Sequence, residues 1–390
     1  MNTIVTAFTL VLFLAAPAAA ADPTPQEECI TIGAVGDLML GNRTEPFLRE
    51  FGPDYPFAEV APFLRKADVV VGNLESPISI RGKAVENKKF TLRAGPIAAE
   101  ALNKAGIRVV TLANNHSMDF GPLALQDTLA ILGENAILPT GAGMDLDDAR
   151  SPAMVKIKGK TLAFLSYSLT FPLEFFASAK RPGTAPGYME FVKADIEKIR
   201  PAADIVIVSF HWGAELMTTA KDYQIELGHQ AIDWGADLVL GHHPHVLQEI
   251  EVYRGRLIAY SLGNFVFGSE SNRTNSSMIL LLTFRGKGLV RVEAIPLDVN
   301  NYRVKYRPRV LTGKEGREVI EGVNAGSERF KTKLEMVNDR GMIVLAPVET
   351  AAGAGSPPGM NVVEGLCSQA GITAPSFGNT PRTSSATAAP

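Results

Sequence analysis

The chain has 390 residues, of which 46% are hydrophobic and 20% charged, and a formal net charge of −3. That composition supplies a globular core, and the length fits two domains or one enlarged α/β domain. The slight acidity excludes a nucleic-acid binder held by a basic surface and gives no support for docking on an anionic membrane. Two cysteines are too few for a Cys-rich zinc module or a disulfide scaffold.

Ile4 to Leu14 is an apolar run followed by Ala15-Ala16-Pro17-Ala18-Ala19-Ala20-Ala21. This pattern predicts a signal peptide over residues 1–21 and an exported protein, periplasmic or extracellular. Five segments then share one design: a β-branched apolar run that ends abruptly in a polar cluster. They are Ile30 to Gly36 before Asp37, Ala67 to Gly72 before Asn73-Leu74-Glu75, and Arg108 to Ala113 before Asn114-Asn115-His116. Ala203 to Phe210 before His211 and Ala236 to Gly241 before His242-His243-Pro244-His245 complete the set. Unbroken apolar runs of this length are strands buried on both faces, as in a mainly parallel sheet.

Helical spacing fills the gaps at Phe57 to Lys66, Pro96 to Ala105, Leu123 to Leu132, Met189 to Ile199 and Gln224 to Trp234. Strand–helix alternation predicts βαβ units, whose strand carboxyl ends form the ligand crevice. The five polar clusters should therefore converge. Further on, Val246 to Tyr253, Arg256 to Phe265, Ser277 to Phe284 and Leu289 to Val299 read as strands of a second, partly antiparallel sheet. Gly316 to Met336 reads as a helix and Gly341 to Ala346 as a last strand. One domain over residues 22–349 is expected, with an Ala/Gly/Pro/Ser-rich, largely disordered tail over 350–390. Cys29 and Cys367 are the only cysteines, and export favours a disulfide between them.

Five of the six histidines lie in three of the polar clusters. Asp37, Asn73, Glu75, Asn115, His211, His243 and His245 together offer carboxylate, amide and imidazole donors. Such mixed ligation suits Mn, Fe or Zn, with one or two divalent ions held. A single cluster is weak evidence, because one histidine at a strand end is commonly structural. Five clusters with the same placement carry more weight.

The motifs Gly36-Asp37-Leu38-Met39-Leu40-Gly41, Gly72-Asn73-Leu74-Glu75 and Asn114-Asn115-His116-Ser117-Met118-Asp119 resemble those of CapA-type proteins, named for poly-γ-glutamate capsule synthesis. So do His211-Trp212-Gly213-Ala214-Glu215, Gly241-His242-His243-Pro244-His245-Val246 and Ser261-Leu262-Gly263-Asn264-Phe265. That family is similar in turn to calcineurin-like metallophosphoesterases. The resemblance implies an α/β fold: a metallophosphoesterase-like α/β/β/α sandwich of two mixed sheets flanked by helices, with a two-metal site.

Carried over by position, the resemblance implies metal ligation by Asp37, Asn115, His211, His243 and His245, with His116 catalytic. Asn73 or Glu75 stands at the bridging position, and Glu75 is preferred because a carboxylate balances two cations better than an amide. Asn73, Asp119, Glu215 and Asn264 are candidates for supporting the ligands or contacting substrate. Lys88, Lys89 and Arg93 form a basic cluster near the second motif. His242 is read as a neighbour of the ligands and His229 as structural. One departure stands out: Met39 occupies the place of a histidine in the Asp-x-His pattern, and a thioether is a poor ligand for hard cations. Two functions follow. One is a divalent-metal-dependent hydrolase of a phosphoester or an anionic polymer. The other is a non-catalytic capsule assembly or export factor working with membrane partners.

Overall fold

The computed structural model describes residues 28–268 and 270–345. The signal peptide, the 350–390 tail and Cys367 lie outside the described residues.

Two sheets face each other. The first runs in the order Glu335–Val337, Arg340–Val344, Gly288–Asp298, Ser276–Arg285, Cys29–Met39, Val69–Leu74, Ile107–Thr111, Leu138–Thr140. Its Cys29–Met39, Val69–Leu74, Ile107–Thr111 and Leu138–Thr140 strands are mutually parallel, the other four of this order join antiparallel, and Asn264–Phe267 pairs in parallel with Cys29–Met39. The second runs Ile250–Tyr253, Arg256–Ala259, Leu238–His242, Ile205–His211, Lys160–Ser168, Ala153–Ile157. Its four inner strands are parallel and its two edges antiparallel.

Alternation along the strands builds three apolar layers. Ile30, Ile32, Val69, Val71 and Val109 of the first sheet meet Leu162, Phe164, Ile207 and Leu240 of the second. The intervening residues Val35, Val70 and Val110 pack outward on Ala98, Leu102, Leu125 and Leu132. These come from the helices Ile97–Lys104 and Gly121–Glu134. Val206, Val208 and Val239 pack outward on Val192, Ile196, Leu227 and Ala231. Those lie on helices Met189–Ile199 and Asp222–Asp233. The result is the α/β/β/α sandwich of two mixed sheets.

The partition of strands differs from the sequence expectation. The five runs do not form one sheet: three lie in the first and two in the second. Each sheet is covered on one face by helices and on the other by its partner, so both produce the same unbroken apolar runs. The later strands are likewise shared between the two sheets. The stretch expected as one strand over Arg256 to Phe265 is two: Arg256–Ala259 in the second sheet and Asn264–Phe267 in the first. The helix expected to reach Met336 ends at Ser327, and Met336 lies in a strand. Only two short turns of helix, Tyr55–Phe57 and Ala61–Leu64, occupy the Phe57 to Lys66 region.

The crossing between the sheets explains two motif glycines. The Gly263 carbonyl accepts the Asp37 N–H at 2.9 Å, and the Tyr260 carbonyl accepts Trp212 Nε1 at 2.9 Å. A Cβ on Gly36 would collide with Gly263 O, and one on Gly241 with Tyr260 O. The crossover thus lies against the residue immediately before Asp37 in one sheet and before His242 in the other. Gly36→Ala and Gly241→Ala should each destabilise the fold by about 1–3 kcal/mol, the usual range for forced overpacking. Urea unfolding midpoints equal to the parent's would contradict this close approach.

Candidate metal centre

The polar clusters meet where the carboxyl ends of the two sheets come together. Asp37 and Glu75 are fully buried, His211 is 1% exposed and His243 is 9% exposed. Two donor sets, each with its ligand atoms within 4.8 Å of one another, arise there: Glu75, His211 and His243, and Asp37, Glu75 and His245. Glu75 belongs to both. His211 Nε2 lies 3.7 Å from Glu75 Oε1 and 2.8 Å from Asn115 Oδ1, which brings Asn115 to the first set. All six residues expected as ligands therefore share one pocket.

Local backbone sets these directions. Asn114 holds the turn after its strand. Its Oδ1 accepts the N–H groups of His116 and Ser117, both at 3.0 Å, and its Nδ2 donates to Asn73 Oδ1 at 3.1 Å and Leu74 O at 2.9 Å. This is an Asx-type turn, and it frees Asn115 and His116 to face the pocket. His243 and His245 both take positive φ, 96° and 59°, on either side of Pro244. Such conformations cost on the order of 1–3 kcal/mol each and are characteristic of functional sites.

Asn73 and Glu75 have different roles. Asn73 Oδ1 accepts from Thr111 Oγ1 and Asn114 Nδ2, so its lone pairs are engaged. Its Nδ2 donates to Asp37 Oδ1 at 2.9 Å and to Glu75 Oε2 at 3.5 Å. Asn73 orients the two carboxylates, whereas Glu75 Oε1 has no hydrogen-bond partner. His242 Nε2 and His243 Nδ1 are also buried without one. Buried polar atoms left open in this way are unusual and fit a site built for cations.

Charge follows the same geometry. Burial opposes ionisation of Asp37, but hydrogen bonds from His242 at 3.1 Å and His245 at 3.1 Å outweigh it and hold its pKa well below the usual value. Burial, reinforced by Asp37, pushes Glu75 well above its usual value. Burial and the neighbouring histidines lower His211, and burial with His245 lowers His243 to about 3. His245 goes the other way: burial disfavours its charge, but Glu75 and Asp37 raise it to about 10. Neutral His211 and His243 are in the form that ligates metal.

The remaining candidates divide. His116 Nδ1 lies 2.7 Å from Asp119 Oδ2, which assigns the proton to Nδ1 and leaves Nε2 facing Glu75 Oε1 at 3.9 Å. Burial lowers its pKa, with Asp119 acting in the opposite sense. Asn264 Oδ1 lies 2.9 Å from His245 Nδ1. Glu215 is exposed at the rim and acts on Glu75 and His245 through its charge. His229 sits apart, bonded to Glu251 at 2.9 Å and stacked on Tyr253. Met39 packs in a small apolar cluster with Leu92 and Phe267. The expected basic cluster does not form one patch: Lys88 pairs with Asp119, Lys89 lies over Phe90 and Arg93 over Phe120. Sequence reading missed Asn114, whose signal was an Asn at the start of a turn, and the inward direction of Lys88.

A family model described as bacterial capsule synthesis protein PGA_cap matches residues 31–269. PGA biosynthesis protein CapA of Bacillus subtilis (strain 168) is 34% identical over 279 residues, covering 71% of this chain and 73% of that protein. A probable polyglutamine synthesis accessory protein of Mycobacterium tuberculosis is 32% identical over 272 residues, 64% of this chain and 72% of the relative. The solved structure of Haemophilus influenzae NAD nucleotidase superposes with a TM-score of 0.45 at 13% identity, over 76% of this chain and 62% of that one. That likeness is too distant to bear on function.

The raised His245 pKa sets a pH dependence for the metal-free protein. The folded ring keeps its proton to about 10, whereas an unfolded imidazole releases it near 6.5. Its stabilisation is therefore complete below about 6.5 and is lost as pH climbs toward about 10. Thermal midpoints of metal-free protein should fall over that range, and His245→Gln should flatten the fall. An alkaline slope unchanged by His245→Gln would refute the assignment.

Proposed function

The chain belongs to the PGA_cap family of bacterial capsule synthesis proteins, and from that membership we propose that it is a divalent-metal-dependent hydrolase of an anionic polymer or phosphoester. The observation that carries the proposal is Glu75 Oε1, buried without a hydrogen-bond partner at the shared corner of two donor sets. In this reading Asp37, Glu75 and His245 hold one cation, and Glu75, Asn115, His211 and His243 hold the other. The ions are Mn, Fe or Zn, as the oxygen and nitrogen donors suit. Bound there, such cations polarise the scissile bond and lower the pKa of water toward about 7.

The chain's own residues do the rest. Asp37 and Glu75 supply negative charge to offset the cations. Asp119 fixes the His116 ring by its Nδ1, so that Nε2 faces the pocket and exchanges a proton with the reacting oxygen. Asn264 and Asn73 hold His245 and the carboxylates in place. The protein works outside the cytoplasm, after removal of residues 1–21, beside capsule-synthesis partners in the membrane.

One observation favours a second reading. Met39 is fully buried in an apolar cluster, so the Asp37 set lacks the histidine of the Asp-x-His pattern. With that set weakened, the fold would serve as a non-catalytic factor that binds an anionic chain during capsule assembly or export.

Metal analysis and hydrolysis assays separate these readings. Purified protein should carry divalent metal and hydrolyse either generic phosphoesters or poly-γ-glutamate. Glu75→Gln should lose both ions and Asp37→Asn one. His116→Ala should keep its metal and lose about 10²–10⁴ in turnover, the usual worth of general acid–base catalysis. Protein that binds poly-γ-glutamate but cleaves none of these substrates, with metal supplied, would establish the second reading.

A further inference from the structure

The loop from Ile80 to Arg93 crosses the turn that carries Asn115 and His116. Val85 N–H donates to Asp119 O at 2.9 Å, and Leu92 N–H donates to Asp119 Oδ2 at 2.7 Å. Gly82 approaches so closely that a Cβ there would collide with Phe120 O. From this loop Lys88 turns inward, its side chain 17% exposed, with its ammonium 5.0 Å from the centre of the Phe175 ring. Lys88 Nζ donates to Asp119 Oδ1 and to the Asn115 carbonyl, and lies 3.2 Å from His116 Nδ1.

We propose that Lys88 is a positioning residue for His116 and Asn115. The argument is one of occupancy. Asp119 is fully buried, and its Oδ2 already serves the Leu92 N–H and His116 Nδ1. Oδ1 is taken by Lys88. Without the ammonium this oxygen is a buried charge lacking its partner, and the carboxylate turns to share its remaining donors. The His116 ring then loses the fixed acceptor that keeps its proton on Nδ1 and its Nε2 toward Glu75. The second contact acts in parallel. By holding the Asn115 carbonyl, Lys88 fixes the peptide between Asn115 and His116, and so the directions of both side chains. One cation thus ties the ring to the amide that meets His211.

The consequence for turnover rests on the hydrolase reading; the consequence for the ring does not. The experiment therefore reads the ring directly, by ¹⁵N-histidine NMR of the full-length protein, with the His116 signal identified by its loss in His116→Gln. The parent should show His116 as a single tautomer protonated at Nδ1. Lys88→Met should give a mixture of tautomers or exchange broadening in the metal-free protein, and weaker metal binding at the set that Asn115 joins. Lys88→Gln provides a second readout if the methionine variant folds poorly. Lys89→Met, on the exposed neighbour, should match the parent. On any substrate the parent cleaves, Lys88→Met should lower kcat about 10-fold or more, within the worth of the proton transfer it supports, and leave KM unchanged. Retention of the single Nδ1-protonated signature in the Lys88 variants would overturn the proposal. A parent that cleaves nothing would overturn the hydrolase reading alone.

Discussion

Two carboxylates, Asp37 and Glu75, are buried completely in one pocket, and the architecture around them answers to that charge. Taking an ionised carboxylate out of water costs several kcal/mol even after relaxation, unless charges and hydrogen bonds replace the solvent. Asp37 has its replacements: His242 and His245, the Asn73 amide and the His243 N–H. Glu75 does not. Its Oε2 receives one long hydrogen bond and its Oε1 none, while the nearest histidine nitrogens stand 3.7 to 3.9 Å away. A carboxylate so placed favours a proton or a cation over the bare charge, in keeping with its raised pKa. His211 and His243 are already neutral, whereas His245 and Glu75 hold their protons more tightly than usual, so a cation entering the site would have to displace them.

The fold supplies this pocket by joining two parallel arrays at their carboxyl ends. Neither sheet alone carries a full donor set: Asp37, Glu75 and Asn115 come from the first, His211 and His243 from the second. The crossover through Tyr260 to Gly263 locks the ends together, using glycines where backbone must touch backbone. The same crossover delivers Asn264, paired in register with Asp37, to His245. Packing energy from three apolar layers holds the positive-φ histidines that an isolated loop would not retain.

Much of this was legible in the sequence because the apolar runs stop abruptly where chemistry begins. The partition between sheets was not, since strands covered by helices and strands covered by another sheet bury both faces alike. The Lys160–Ser168 strand, next to one edge of the second sheet, escaped notice for a related reason: no cluster of ligand-type residues marks its end. Arg256 to Phe265 read as one strand because the bend at Tyr260 to Gly263 lies within an otherwise apolar run. At the site, the clusters at the strand ends brought out the histidines that gather there. It did not reveal that Asn73 presents its N–H groups, that Asn114 builds the turn or that Lys88 faces inward. Those depend on side-chain direction, which a motif does not encode.

The central claim is that Glu75 is shared by two cations. Crystals grown with Mn²⁺ and measured for anomalous scattering test it most directly, since the signal locates the metal independently of activity. The account predicts two peaks, one beside Asp37 and His245 and one beside His211 and His243, with Glu75 contacting both. A single peak that leaves Glu75 out, or no peak in the pocket at saturating Mn²⁺, would contradict it.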